Sequence, residues 1–229
     1  MSEKAKEKGK NESYREPEFY NIWRRIFLFL VTHVFYMIRF KLVYRMEVHG
    51  KENIPKDNNF IIAANHLSTL DPPLVCAVMD RGVAYMAKIE LFDNFFMRWW
   101  LNWLGAFAVD REKVSVSTMK TVKAIKKTNW VLGIFPQGTR QLDGEIKNLT
   151  KGFASIAKSN KCGILPVGIR GTEVAKRIPF SGKIIVNIGE VIPYSDNLDE
   201  MINKWGESIQ ELTGLKYIPN TEQQECVNG

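Results

Sequence analysis

The stretch "NHLSTLDPP", residues 65–73, sets an imidazole and a carboxylate five residues apart, at His66 and Asp71, just past the apolar run "NFIIAA". On a helix that separation would leave the two side chains about 140° apart, too far round to meet. Pro72 and Pro73 argue against a helix through the stretch, since proline holds the residue before it extended and belongs in a first helical turn. The spacing therefore predicts a loop that folds back, with Asp71 at or near a helix N-cap. From there a carboxylate can accept a hydrogen bond from one imidazole nitrogen, leaving the other as a base in a fixed tautomer. A plainer reading has Asp71 cap the helix and His66 sit as an ordinary loop residue. A histidine and a carboxylate are also two-thirds of a hydrolytic triad, but the Gly-x-Ser-x-Gly elbow is absent. Ser68 and Thr69 lie too near His66 in sequence to serve as its nucleophile, and Cys76 falls within an expected helix. A base without a protein nucleophile suggests that the substrate brings the nucleophile.

Basic loops are the second chemical feature. "GIFPQGTR", residues 133–140, offers a glycine after an apolar run, then Thr139 and Arg140, a hydroxyl and a rigid fork of donors suited to phosphate. A tight turn with a solvated arginine would look the same. Lys88 in "AYMAKIELF" and Arg111 in "GAFAVDR" also follow expected strands. Three strand-end cations around one histidine predict an anionic substrate. Cys76, Cys162 and Cys226 are too far apart for a disulfide framework or a zinc spacing, and no metal site is expected.

The elements that must position these groups follow from patterning. From about residue 43, strand-like runs at 42–50, 59–65, 83–88, 106–110, 130–135, 163–169 and 183–192 alternate with helix-like stretches. The helices are expected from Pro72, over 90–103 and 114–128, from Lys151 to Asn160, and over 197–213. Such alternation implies crossover connections and a largely parallel sheet flanked by helices, an α/β fold. Ligands of open α/β sheets bind beyond the carboxyl ends of the strands, which is where "NHLSTLDPP" falls.

Ahead of this body, residues 1–16 mix five basic with four acidic residues and read as a flexible charged tail. Residues 17–42 read as an amphipathic, membrane-associating helical segment. The thirteen residues between Arg25 and Arg39 are mostly apolar. As a helix they span roughly 20 Å, short of the ~30 Å hydrocarbon core. Between Pro17 and Lys51 there are six basic and two acidic residues, with Tyr20, Trp23 and Tyr36 as interfacial rings. The helix could equally pack on the protein's own core, but the second aromatic run "LFDNFFMRWWLNWLG" holds more rings than one helix face buries. A peripheral or monotopic attachment to an anionic membrane surface is the expectation. Residues 43–216 form the α/β domain, and 217–229 a flexible tail. The net charge of +7 suits anionic partners, but no zinc-finger or RNA-binding signature directs them toward nucleic acid.

Taken together, "NHLSTLDP", "GAFAVDR", "FPQGTR" and "ILPVGI", with the lysine-bearing "AKIELF" between the first two, resemble the four ordered blocks of the glycerolipid acyltransferase family. The likeness is to its 1-acylglycerol-3-phosphate acyltransferases (PlsC-like) and covers roughly residues 45–195. It implies that His66 is the base and Asp71 its orienting partner. The acceptor's own hydroxyl then attacks the thioester of acyl-carrier protein or coenzyme A, with no acyl-enzyme, metal or other cofactor. Lys88, Arg111 and Arg140 match positions that hold the acceptor's phosphate, with Gly138 and Thr139 shaping that site. Pro166 of the fourth block is linked to acyl-chain or donor binding. Gln137, which the resemblance places among the substrate-binding positions, departs from the family's usual glutamate, and that bears on the identity of the acceptor. The implied product is phosphatidic acid, made from a lysophospholipid at the cytoplasmic face of a membrane. The alternatives are the same chemistry on glycerol 3-phosphate or another lysolipid, a non-catalytic membrane-binding module, and a lipid hydrolase using water.

Overall fold

The structure, a computed structural model, describes residues 12–110, 115–175 and 182–220. Its strands are β1 (Glu47–His49), β2 (Phe60–Ala64), β3 (Gly82–Lys88), β4 (Phe107–Val109), β5 (Trp130–Ile134), β6 (Glu145–Ile146), β7 (Gly163–Arg170), β8 (Ile185–Ile188) and β9 (Lys216–Tyr217). The main sheet has seven strands in the order β1-β8-β7-β2-β5-β3-β4, and β6 pairs with β9. Within the main sheet β7 and β8 run antiparallel, and every other pairing is parallel. The expected largely parallel α/β fold is present.

The connecting helices are α3 (Asp71–Val78), α4 (Phe95–Trp103), α5 (Val116–Ile125), α6 (Gly152–Asn160), the short α7 (Thr172–Ala175) and α8 (Leu198–Thr213). Before them α1 (Ile22–Phe29), a π-helical stretch (Leu30–Met37) and α2 (Ile38–Leu42) follow one another without a break. The crossovers β2-α3-β3 and β3-α4-β4 progress along the sheet in one direction, while β4-α5-β5 and β5-α6-β7 progress in the other. Right-handed crossovers of opposite direction must lie on opposite faces. So α3 and α4 cover one face, where the N-terminal helix also packs. Helices α5, α6 and α8 cover the other.

Strand β2 lies at the centre of this arrangement, between β7 and β5, and all five of its residues are buried. A strand enclosed on both faces must be apolar throughout, as "FIIAA" is. The β2–β7 ladder ends at Ala64 opposite Val167. One residue on, the buried Asn65 side chain replaces the backbone, donating Nδ2–H to the Ile169 carbonyl at 2.9 Å and accepting the Ile169 N–H at 2.7 Å. Residue 66 can thus leave the sheet without stranding polar groups on β7.

Three boundaries differ from the sequence expectation. The strand foreseen over 42–50 is reduced to Glu47–His49, because the N-terminal helix runs on to Leu42 and the chain reverses at Arg45, which has φ 44°. Residues 12–16 of the supposed tail are docked: the buried Thr121 hydroxyl donates to the Ser13 carbonyl at 2.7 Å and accepts the Arg15 N–H at 2.8 Å. The C-terminal tail starts later than residue 217. Tyr217 belongs to β9, and Asn220 donates to the Leu149 carbonyl at 2.9 Å. Residues 1–11 and 221–229 lie outside the described residues.

Helix α4 ends in a Schellman motif. Gly105 N–H reaches the Asn102 carbonyl at 3.2 Å, Ala106 N–H reaches the Leu101 carbonyl at 2.9 Å, and Gly105 has φ +78°. A Cβ at Gly105 would lie 2.4 Å from the ring of the fully buried Trp130. Gly105→Ala therefore combines left-handed strain of about 1–3 kcal/mol with displacement of Trp130. We expect thermal unfolding of this variant roughly 5 °C or more below wild type; an unchanged midpoint would contradict the packing described.

Candidate active site

The loops leaving three adjacent parallel strands meet at one point. The loop after β2 carries His66, that after β5 carries Gln137, and that after β7 carries Thr172.

The β2 loop folds back as the spacing requires, and Asp71 N–H closes the turn on the Ser68 carbonyl at 3.2 Å. Asp71 is the first residue of α3 and Leu70 is the cap, so the carboxylate points back over the loop that precedes it. Its Oδ2 accepts the N–H groups of Leu67 and Ser68, both at 2.7 Å, and lies 2.8 Å from His66 Nδ1. Its Oδ1 accepts the Thr172 hydroxyl at 2.6 Å. Asp71 and Thr172 are both fully buried. A carboxylate oxygen surrounded by N–H donors can only accept, so the proton between Asp71 and His66 belongs to Nδ1. Nε2 is then the basic nitrogen, and it has no hydrogen-bond partner among the described residues.

The imidazole stacks on Phe135 with centroids 4.2 Å apart, and Phe135 stacks in turn on Tyr85 at 5.4 Å. His66 also borders an apolar cavity of about 320 Å³, shared with Met86, Val109, Phe135, Gly138 and Phe153. Gly138 has φ +68° and open space where a Cβ would stand, so the β5 loop turns there without narrowing the cavity.

Gln137 is 4% exposed and faces the protein. Its Oε1 accepts the His66 backbone N–H at 2.8 Å, and its Nε2 donates to Gln141 Oε1 at 2.7 Å. Gln141 completes the link: its N–H reaches the His66 carbonyl at 3.0 Å, and its Nε2 reaches the Lys147 carbonyl at 2.9 Å. The expected substrate contact of Gln137 gives way to a structural one, because both ends of its amide are engaged by protein groups. Thr139 and Arg140 are exposed on the same loop, just before Gln141. Lys88 is exposed at the end of β3, opposite Val109 of the cavity wall. Neither Lys88 nor Arg140 is paired among the described residues, and Arg111 lies outside them. Pro166 is buried within β7 opposite Ala63, where its carbonyl accepts the Gly189 N–H at 3.0 Å.

The other candidate nucleophiles are unsuited to the role. Burial pushes the Cys76 thiol up to about 12, so essentially no thiolate exists near neutral pH. Ser68 is buried, and its Oγ accepts the Leu70 N–H at 3.3 Å.

Residues 45–170 match the Acyltransferase family. The chain belongs to that family. It is 33% identical over 176 residues to the 1-acyl-sn-glycerol-3-phosphate acyltransferase of Bacillus subtilis, covering 73% of this chain and 87% of the relative. To the enzyme of the same name from Streptococcus pneumoniae it is 33% identical over 180 residues, 77% of this chain and 63% of that one. Among solved structures it resembles the 1-acyl-sn-glycerophosphate (LPA) acyltransferase PlsC of Thermotoga maritima, with a TM-score of 0.59 and 29% identity over 74% of this chain and 70% of that one.

In this acyltransferase, sequence reasoning overlooked Thr172 and Gln141. The glycine of "RGT", which has φ +86°, was the available signal for a tight turn presenting a hydroxyl beyond β7. Thr172→Val removes only the bond to Asp71, and Gln137→Leu cuts both hydrogen bonds of the Gln137 amide while keeping its bulk and the main-chain bond from Gln141 to the His66 carbonyl. Each is expected to lower kcat about tenfold with KM for the acceptor little changed, since neither side chain borders the cavity. Thr172→Ser should restore the rate. A rise in KM at constant kcat would mean that these residues touch substrate instead.

Proposed function

We propose that the protein transfers a fatty acyl group from an acyl thioester to the sn-2 hydroxyl of 1-acylglycerol 3-phosphate, giving phosphatidic acid. The carrying observation is the His66–Asp71 pair, its Nε2 unpaired, beside an apolar cavity in a chain of the acyltransferase family. In this reading Nε2 takes the hydroxyl proton as the oxygen attacks the thioester carbonyl carbon. The C–O bond forms, the C–S bond breaks, and the imidazolium returns the proton to the departing thiolate. Asp71 holds the tautomer and stabilises the imidazolium charge.

Lys88, Arg111 and Arg140, with the Thr139 hydroxyl, hold the acceptor's phosphate, and Gly138 leaves room for it. Gln137 acts through the His66 backbone, so its departure from glutamate concerns the loop more than the acceptor. The donor is acyl-carrier protein or coenzyme A thioester, and no other cofactor enters the scheme.

Substrate and product both reside in membranes, and the N-terminal region supplies a docking surface. Trp23, Phe29, Phe35, Leu42, Phe95 and Phe96 are each more than half exposed. Scattered exposed apolar residues are ordinary, but this many on the N-terminal helical segment and the adjoining α4, which meet through Phe27, Trp100 and Trp103, suit an interaction face. Arg25, Lys41 and Arg45 lie on the same N-terminal segment or just after it and favour anionic lipid. No helix among the described residues is long and apolar enough to cross a membrane. The reading is a segment lying in the interface at the cytoplasmic face.

Purified protein should release thiol from an acyl thioester only when 1-acylglycerol 3-phosphate is present, and His66→Ala should reduce that rate about 10²–10⁴-fold. Silence with every acceptor and both donors would favour a membrane-binding module, and fatty-acid release without acceptor would indicate a hydrolase. Phe35→Glu should weaken sedimentation with vesicles containing anionic phospholipid while leaving the unfolding midpoint unchanged. Equal sedimentation of variant and wild type would remove this face from the docking surface.

A further inference from the structure

The loop after β5 runs from Phe135 to Lys151, longer than most connections in a compact domain, and loops of such length are usually functional. Its base is closed by Thr150, whose N–H and hydroxyl both donate to the Pro136 carbonyl at 3.2 Å. The near half carries Gly138, Thr139, Arg140 and Gln141. The far half carries β6, whose only strand partner among the described residues is β9. Ile218 N–H extends that pairing to the Ile146 carbonyl at 3.0 Å, and Asn220 Nδ2 reaches the Leu149 carbonyl at 2.9 Å. Ile146 is fully buried. One residue beyond it the Lys147 carbonyl accepts Gln141 Nε2 at 2.9 Å, and Gln141 N–H reaches the His66 carbonyl at 3.0 Å.

Strand β9 is itself held by α8. Tyr217 N–H donates to Gln210 Oε1 and its hydroxyl to Asn203 Oδ1, both at 2.7 Å. The Tyr217 ring lies on Gly206, where a Cβ would come within 2.4 Å of it. Glycine weakens a helix interior, and here it is what lets the ring approach. Helix α8 in turn is fixed to β2, because the fully buried Trp205 donates Nε1–H to the Ala63 carbonyl at 3.0 Å. The Trp205 ring also meets Phe153, a wall of the cavity beside His66, edge-on at 5.6 Å. The contacts thus run from Ala63 through α8, β9, β6 and Gln141, and return to His66 just after the same strand. A loop fixed only at its base could shift its near half; this ring ties that half to the strand that bears the base. We propose that β9 is a positioning strand for catalysis. By holding β6 it fixes where Gln141 meets the His66 main chain, and where Thr139 and Arg140 stand to receive the acceptor's phosphate. Ile218 and Asn220 are positioning residues that act through the loop. The inference rests on the acceptor reading given above.

The test uses the full-length protein with 1-acylglycerol 3-phosphate as acceptor. Ile218→Pro deletes the N–H that reaches Ile146, and Tyr217 before it is already in a strand, as a following proline requires. Asn220→Ala deletes the bond to Leu149 and is the milder change. Ile218→Pro should lower kcat/KM about tenfold, the scale of one hydrogen bond, and Asn220→Ala about threefold. In a Gln141→Leu background, where the route from Lys147 is already cut, each should cost less than about twofold. Hydrogen exchange of the amides of residues 138–147 should quicken in Ile218→Pro, while those of β2 and β7 keep their protection. Losses that multiply in full across the two backgrounds, or exchange that quickens equally in the sheet, would reduce β9 to a stabiliser of the whole fold and overturn the assignment. So would wild-type kinetics in both variants. A wild-type protein that leaves the acceptor unacylated would instead sink the proposed function itself, and the exchange comparison would still decide whether β9 holds the loop.

Discussion

The buried carboxylate of Asp71 is the constraint around which the active-site end of this protein is organised. A charge fully removed from water is tolerated only when its lone pairs are met. Here two backbone N–H groups, one imidazole and one hydroxyl meet them. The backbone donors come from the loop after β2 and the hydroxyl from the turn after β7. Satisfying the charge therefore draws two strand ends together and orients the histidine in the same act. The loop needs no rigidity of its own, because its shape is dictated by the charge it encloses.

That arrangement depends on parallel neighbours. In an antiparallel sheet the ends of β2, β5 and β7 would alternate between opposite edges. Parallel pairing places all three exits on one edge, and opposite crossover directions send α3 and α6 to opposite faces. The Asn65 side chain assists by ending the β2–β7 ladder cleanly, one residue before the histidine.

Much of this was legible in the sequence, for reasons that differ by element. The continuous apolar run of β2 and the prolines after Asp71 are local signals, and they located the strand, the loop and the helix start. Asp71 and His66 could be paired because only four residues of loop lie between them. Thr172 could not be read the same way, since it stands 101 residues beyond Asp71 and its side chain resembles any other threonine in a turn. Gln137 drew attention as a residue type, but its direction depends on the β2–β5 register, which no local pattern encodes. The docked segment at 12–16 was hidden for a related reason. Its charges suggest a solvated tail, while its attachment runs through main-chain groups that bond to Thr121.

The Gln137–Gln141 link constrains how this chain can diverge. Residue 141 presents its oxygen to Gln137 and its nitrogen to the Lys147 carbonyl, an orientation that works only while residue 137 donates. A glutamate at 137 would still accept the His66 N–H, but it would turn an acceptor toward another acceptor. Rotating the amide of residue 141 would mend that contact and break the one to Lys147. A lineage that exchanges amide for carboxylate at 137 therefore needs a group at 141 that can donate in both directions. The two positions form one heritable unit, and variation at either should be accompanied by variation at the other.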